Sequence, residues 1–590
     1  MPVFLISWRL RLRRPMHKII LLLVLCLTLL CGQASARTPL IPVEELHPGM
    51  TGYAKTVIDG DKIEEFPVEI LGVTGNETMG YQILIKAGGD VMERSGGIAQ
   101  GMSGSPVYID GRLAGAVAFG RSFTDSHYCF LTPIEDMLKI LEEPVSTVRL
   151  DRPDTGDATL LPKGTQLMAG GFNETGLRYL QDRLAPYGLT AMNAGGAGSP
   201  HPVGDLEPGS AVGVSMVQGD LTVGALGTVT WVDEQGRILA FGHPFLQRGK
   251  SAFFMNKVWV FASLPNLQSA YKIGSLGDVI GTINQDRAAG IAGQIGKEPL
   301  SIPVFVAVAD LDRSNNTTVR AKVVEDEVLA PELMSSVVVN TAAKAVDNRV
   351  GGSAKVTFRI DAKDQDRKPI LIVRQNMYYS PKGLFETLTP ELRETASVLL
   401  RNKLEDVEIT GVNVDVEMST ESLVADIQSA SVREDKVKAG EDIHIDVKLK
   451  PYRGKEITRT VVYHMPKDAK GTVDLTIRGG AAMNWIQQLM RNQKEEGIPV
   501  KKKKKKKEPN LRDYIRDINR ADRNNDIIVE YAVKPMMPLN PKRMPPPMEE
   551  PGEMEEGGFD MMLSGGPNKQ NTAIDLIVDG ETSVTVKVSK

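Results

Sequence analysis

Ser103 stands in the run Gly101-Met102-Ser103-Gly104-Ser105-Pro106. A serine hydroxyl is a weak nucleophile at neutral pH; to attack a carbonyl it needs a base beside it and donors aimed at the oxyanion that forms. Glycines at 101 and 104 let the chain turn sharply and approach a substrate, so the backbone N–H groups of Gly101 and Ser103 can converge on one point. Pro106 then fixes the chain as it leaves the loop. The chemistry this would serve is acyl transfer. A plain flexible turn has the same local sequence when it stands alone, so the choice depends on what surrounds it.

The elements around the loop read as short strands. Residues 38–360 are rich in glycine and in short β-branched runs bounded by turn signals, the pattern of a β-barrel or sandwich. Residues 107–109 and 113–119 flank Asp110-Gly111, a pair that accepts the positive φ angles of a tight hairpin turn. Residues 227–232 and 237–241 flank Asp233-Glu234-Gln235-Gly236 in a second hairpin, which leads to His243. Helices are expected at 133–141, 330–346 and 390–404, where apolar positions recur at helical spacing. Strand alternation returns over 407–480 and again over 574–588.

A chain of 590 residues exceeds what one hydrophobic core serves, so two to four domains are expected. Its first residues carry Arg9, Arg11, Arg13, Arg14 and Lys18, then an apolar run over 19–30, then Ala34-Ser35-Ala36. This is the layout of a secretory signal peptide cut after Ala36, with an apolar run too short to span a membrane. Export to the periplasm, cell envelope or medium is the expected localisation. Removing those five positive charges and no negative ones takes the formal charge from −4 to −9, which disfavours nucleic acid as a partner. Of three cysteines only Cys129 lies beyond the leader, so no intramolecular disulfide is expected in the mature chain. With no four-cysteine set and no His-x-x-x-His pair among seven histidines, neither a metal nor another cofactor is expected.

The run Gly96-Gly97-Ile98-Ala99-Gln100-Gly101-Met102-Ser103-Gly104-Ser105-Pro106-Val107-Tyr108-Ile109-Asp110-Gly111-Arg112-Leu113-Ala114-Gly115-Ala116-Val117 resembles the active-serine segment of the SpoIVB family of serine peptidases. Leu131-Thr132-Pro133-Ile134-Glu135-Asp136-Met137-Leu138 is similar to the segment that closes the serine-bearing half there. Gly224-Ala225-Leu226-Gly227-Thr228-Val229-Thr230-Trp231-Val232-Asp233 and Ala240-Phe241-Gly242-His243-Pro244 resemble its histidine-bearing hairpin. Ile280-Gly281-Thr282-Ile283-Asn284 through Ala289-Gly290-Ile291-Ala292-Gly293 resembles the stretch downstream of the histidine in that family. In the sporulation enzyme the histidine block precedes the serine block; here Ser103 comes about 140 residues before His243, as in a circular permutation. Triads are defined by geometry and not by chain order. No PDZ segment of the kind that enzyme carries is evident.

The resemblance, which covers about residues 45–300, implies Ser103 as nucleophile, His243 as general base and the amides of Gly101 and Ser103 as oxyanion donors. The third family residue is an Asp shortly before the serine; the match is Asp90, thirteen positions upstream, although an Asp after Gly88-Gly89 is also an ordinary turn residue. Asp110 and Asp233 read better as hairpin-turn residues. His127 ranks behind His243. Ser105 ranks behind Ser103, because in the Gly-x-Ser-Gly loops of chymotrypsin-like enzymes the serine between the glycines attacks.

The expected fold is mainly β: a circularly permuted, chymotrypsin-like double β-barrel over 37–360, a helical connector over 361–406, a β-sandwich over 407–480 and, over 481–590, a partly disordered C-terminal region made of a helical and basic linker and a Met- and Pro-rich tail with a terminal strand. That last region holds seven consecutive lysines, Lys501 to Lys507, and a Met-, Pro- and Glu-rich stretch over 534–566. The lysines read as a solvated linker, with contact to an anionic membrane surface as the alternative. The expected function is an exported serine endopeptidase acting on proteins or peptides without a cofactor; the competing function is a non-catalytic envelope protein that binds a partner on the same fold.

Overall fold

The structure is a computed structural model and describes residues 38–76, 80–120, 124–142, 161–162 (backbone only), 166–199, 201–266, 270–346, 351–482, 510–531 and 568–589. The expected signal peptide, the lysines from 501 to 507 and the stretch 534–566 lie outside the described residues.

The first unit contains β1 (Thr51–Val57), β2 (Ile63–Asn76), β3 (Gly80–Ala87), helix α1 (Asp90–Ser95), β4 (Pro106–Ile109), β5 (Arg112–Gly120), β6 (Tyr128–Pro133) and helix α2 (Ile134–Lys139). The order β1-β2-β3-β6-β5-β4 closes on itself through β4–β1 pairing, giving a six-stranded barrel. Alternation along the strands turns Phe66, Val68 and Ile70 of β2 and Ile83 and Ile85 of β3 into its core. The β4–β5 hairpin turns at Asp110 (φ 50°) and Gly111 (φ 73°), the two positive angles its sequence calls for.

A two-residue strand β7 (Leu161–Pro162) pairs with β5. The next elements are β8 (Leu167–Gly170), helix α3 (Glu174–Leu184), β9 (Ala191–Asn193), β10 (Ala211–Gly219), β11 (Thr222–Val232), β12 (Arg237–Ala240), β13 (Gly249–Leu264), β14 (Tyr271–Arg287) and β15 (Gly290–Ile295). Here too the pairings form a ring of six, β10-β13-β14-β15-β12-β11 and back to β10. The two rings touch through Tyr108, Leu113, Ala116, Ile134 and Met137 of the first and Leu239 and Ala292 of the second, which share one apolar cluster. Backbone bridges also join them at Gly60–Val260 and Gln100–Tyr271.

The second ring belongs to a sheet of 13 strands that continues through β16 (Ser301–Asp310), β17 (Asn315–Val324), β18 (Gly352–Lys363), β19 (Pro369–Ser380) and β20 (Glu408–Ser419), with helices α4 (Ala330–Ala345) and α5 (Pro390–Arg401) packed on it. α4 is buried on all sides; the hydroxyls of Ser335, Ser336 and Thr341 donate to carbonyls three or four residues back, which satisfies them inside the core. The strands do not respect the boundaries expected at 360 and 407. β18 runs across 360, β19 occupies the expected connector, and β20 pairs antiparallel with β18 and parallel with β16. Alternation specifies which face of a strand is buried and leaves its partner open.

Beyond it lie β21 (Val424–Val432), β22 (Val437–Lys438), β23 (Asp442–Pro451), β24 (Ile457–His464), β25 (Gly471–Gly479), helix α6 (Leu511–Arg520), β26 (Asp526–Tyr531), β27 (Lys569–Ala573), β28 (Ile577–Asp579) and β29 (Glu581–Ser589). They form sheets of four and five strands that share one apolar cluster, including Ile445, Tyr463, Leu475, Ile527 and Val578. Residues 510–531, expected as part of a linker, are tied down by the buried Arg478 guanidinium, which donates to Asp522 at 2.8 Å and to Glu530 at 2.5 Å.

Candidate active site

The serine loop lies where the first barrel meets the second ring of strands. Gly104 N–H donates to Val117 O of β5 at 2.7 Å, and Thr228 N–H of β11 donates to Ser103 O at 2.7 Å. The hydroxyls of Thr228 and Thr230, on one face of β11, donate to the carbonyls of Gly101 (3.0 Å) and Gly104 (2.8 Å). Gly104 has φ 93°, and a Cβ there would sit 2.0 Å from Thr228 O and 2.4 Å from Phe241 N. Glycine is therefore required on both conformational and steric grounds.

The histidine arrives from β12 through two consecutive left-handed residues, Phe241 and Gly242, each at φ 69°. A phenylalanine in that region is strained by roughly 1–3 kcal/mol and persists only where its surroundings fix it. They do so here: Phe241 N–H donates to Thr228 O (3.3 Å), its ring packs onto Gly227, and Thr132 Oγ1 donates to Gly242 O (2.5 Å). Downstream, the carboxylate of Asp286 on β14 accepts the N–H groups of Phe245 (2.7 Å), Leu246 (2.7 Å) and Arg248 (3.1 Å). Burial raises the pKa of Asp286, and those three backbone donors oppose the rise.

The result is a hydrogen bond of 2.9 Å between His243 Nε2 and Ser103 Oγ, both residues being 0 % exposed. His243 Nδ1 lies 2.8 Å from the carbonyl of Pro244. A carbonyl only accepts, so Nδ1 carries a proton, and in the neutral ring this leaves Nε2 to accept from the serine hydroxyl. Phe119 and Phe241 flank the imidazole, with ring centroids 5.9 and 5.8 Å away. The N–H groups of Gly101 and Ser103 are buried and donate to no acceptor among the described residues. Met102 O is taken by Ser105 N–H at 3.0 Å, which turns the Ser103 N–H, on the opposite side of that trans peptide, away from Ser105.

Asp90 is not brought to this site. It opens α1, its side chain is 78 % exposed, and it pairs with Arg94 at 2.7 Å, whereas the ring it was expected to orient is fully buried and has the Pro244 carbonyl at Nδ1. His127 pairs with Asp125 at 2.7 Å in the following loop. Ser105 is buried, and no base lies within hydrogen-bond distance of its hydroxyl among the described residues. Asp233 accepts the N–H groups of Gln235 and Arg237 as a hairpin-turn residue. Sequence reasoning missed Thr132, Thr228, Thr230, Lys272 and Asp286. For the two β11 threonines the two-residue spacing carries the signal; Asp286 and Lys272 read like any polar residue of an exposed strand.

Residues 33–138 match the family model described as SpoIVB peptidase S55, the family that the Ser103 segment resembles. The match suggests a serine peptidase. It takes in the whole first barrel and the Ser103 loop and ends before His243. No curated protein and no solved structure matches the chain.

Proposed function

With that family match as premise, we propose that the chain is an exported serine endopeptidase built on a permuted pair of chymotrypsin-like barrels, working through Ser103 and His243. The observation that carries the reading is the 2.9 Å hydrogen bond in which Ser103 Oγ–H donates to His243 Nε2. Ser103 Oγ attacks the carbonyl carbon of the scissile peptide bond while His243 Nε2 takes its proton. The N–H groups of Gly101 and Ser103 receive the oxyanion. Collapse breaks the C–N bond, His243 returns the proton to the departing amine, and an ester on Ser103 remains. Water, deprotonated by His243, hydrolyses that ester to the carboxylic product and the free serine. In this scheme the Pro244 carbonyl holds the imidazole tautomer, a task that a carboxylate performs in a triad. No cofactor takes part. Export is proposed from residues 1–36, with cleavage after Ala36.

Full burial of Ser103 and His243 favours the second reading, a non-catalytic envelope protein, since a peptide must displace whatever covers them. A fluorophosphonate probe decides between the two. In labelling, Ser103 Oγ bonds to phosphorus, fluoride leaves and His243 takes the proton. The enzyme reading expects labelling of the mature protein that vanishes in Ser103→Ala; no labelling under any condition favours the scaffold.

A further inference from the structure

We propose that Lys272 is a positioning residue of the oxyanion loop, holding Gly101 from both ends, Gln100 O by its backbone and Gly101 O by its amine through Thr228, so that the Gly101 N–H faces the reacting carbonyl. This rests on the peptidase reading and goes beyond it, since nothing in the serine or histidine machinery calls for a lysine.

Its backbone acts first. Gln100 N–H donates to Ala270 O at 2.7 Å, and Lys272 N–H donates to Gln100 O at 2.9 Å, so β14 and the residue before it grip both polar groups of Gln100. In a trans peptide the C=O and the following N–H point opposite ways. With Gln100 O held against β14, the Gly101 N–H turns away from that strand and toward the side where it has no acceptor among the described residues.

The side chain then closes over the same glycine. Gly101 has φ 90°, and a Cβ there would sit 3.1–3.3 Å from Cδ, Cβ and Cγ of Lys272. Lys272 Nζ donates to Thr56 Oγ1 of β1 at 2.9 Å and to Thr228 Oγ1 of β11 at 3.5 Å, and Thr228 Oγ1 passes the chain on to Gly101 O at 3.0 Å. One amine thus ties a strand from each barrel to the carbonyl of the oxyanion glycine.

The surroundings give the amine no ion-pair role. Lys272 is 1 % exposed, and no carboxylate pairs with it among the described residues. A buried cation without a partner is costly, and burial alone pulls its pKa down to about 7. A neutral amine has two N–H groups, matching the two threonine hydroxyls it reaches. A methionine would fill the same space without the desolvation cost, so what the lysine adds is those two donors.

The test is the kinetics of fluorophosphonate labelling on the full mature chain, with kinact and KI separated. Lys272→Met should lower kinact roughly ten- to a hundredfold, since misplacing one oxyanion donor has effects of that order. KI should move little, and the melting temperature should hold or rise. Thr228→Val should reproduce the loss and Thr228→Ser, which keeps the hydroxyl, should recover most of it. The double variant should be no slower than the slower single one, because both act through one hydrogen-bond chain. A folded Lys272→Met protein labelled at the wild-type kinact overturns the proposal, as do losses that multiply in the double variant. If Lys272→Met does not fold, the Thr228→Val and Thr228→Ser pair decides, and equal rates for the two overturn it. An unlabelled wild-type protein removes the peptidase reading and this role together, whereas wild-type labelling with an unaffected Lys272→Met variant removes this role alone.

Discussion

The carboxylate of Asp286 accepts the backbone N–H of Phe245, two residues beyond His243, at 2.7 Å, and takes those of Leu246 and Arg248 as well. The strand paired with β13, into which this turn runs, thereby fixes the turn that carries the imidazole. Asp286→Ala strands two buried donors and one part-buried one, each able to cost up to about 1–3 kcal/mol when left unpaired, with water recovering part of it. A net loss of about 2–4 kcal/mol is expected in urea unfolding, together with slower fluorophosphonate labelling. Asp286→Asn keeps one acceptor oxygen and should lose less on both counts. Wild-type stability and labelling in Asp286→Ala would contradict the anchoring role.

Burial of Lys272 predicts how stability varies with pH. Its folded pKa is lowered from the ordinary 10.5 to about 7. Between those values the unfolded chain holds the proton and the folded chain does not, so stability rises with pH by up to roughly 1.4 kcal/mol per unit across that window. Stability associated with this residue is complete above the unfolded value and is lost as pH falls toward about 7. Lys272→Met removes the dependence, so its advantage over wild type should shrink between about pH 7 and 10. A difference that stays constant with pH would show that the amine is not desolvated as the fold implies.

Asp90 serves to separate a triad from a Ser–His pair oriented by a carbonyl. In triad enzymes an Asp→Asn change at the orienting position lowers kcat by roughly 10⁴-fold. Here Asp90 forms an exposed ion pair with Arg94, away from the imidazole. Asp90→Asn should therefore leave the labelling rate within about threefold of wild type. A thousandfold loss would mean that the carboxylate reaches His243 in the working state.

How far the sequence reached can be judged residue by residue. The Asp110-Gly111 turn was legible because positive φ is a local demand that only a few residue types meet cheaply. The helices expected at 133–141, 330–346 and 390–404 appear as Ile134–Lys139, Ala330–Ala345 and Pro390–Arg401, since 3.6-residue periodicity is local too. The helix Glu174–Leu184 was missed although Asn173, whose side chain accepts Gly176 N–H, caps its start. The meeting of Ser103 and His243 was anticipated from family resemblance; no periodicity joins residues 140 positions apart. What a single sequence hides is which polar side chains turn inward. Lys272 and Asp286 look like surface residues until their strands are paired, and Asp90 looks like a triad member until its side chain is seen to face solvent.

The central claim is that His243 deprotonates Ser103, and mapping the site of fluorophosphonate attachment by tandem mass spectrometry tests it most directly. The expected adduct is on Ser103 alone, absent from the neighbouring Ser105, and lost in His243→Ala protein that still unfolds cooperatively. An adduct on Ser105, or undiminished labelling of Ser103 without the imidazole, would contradict it.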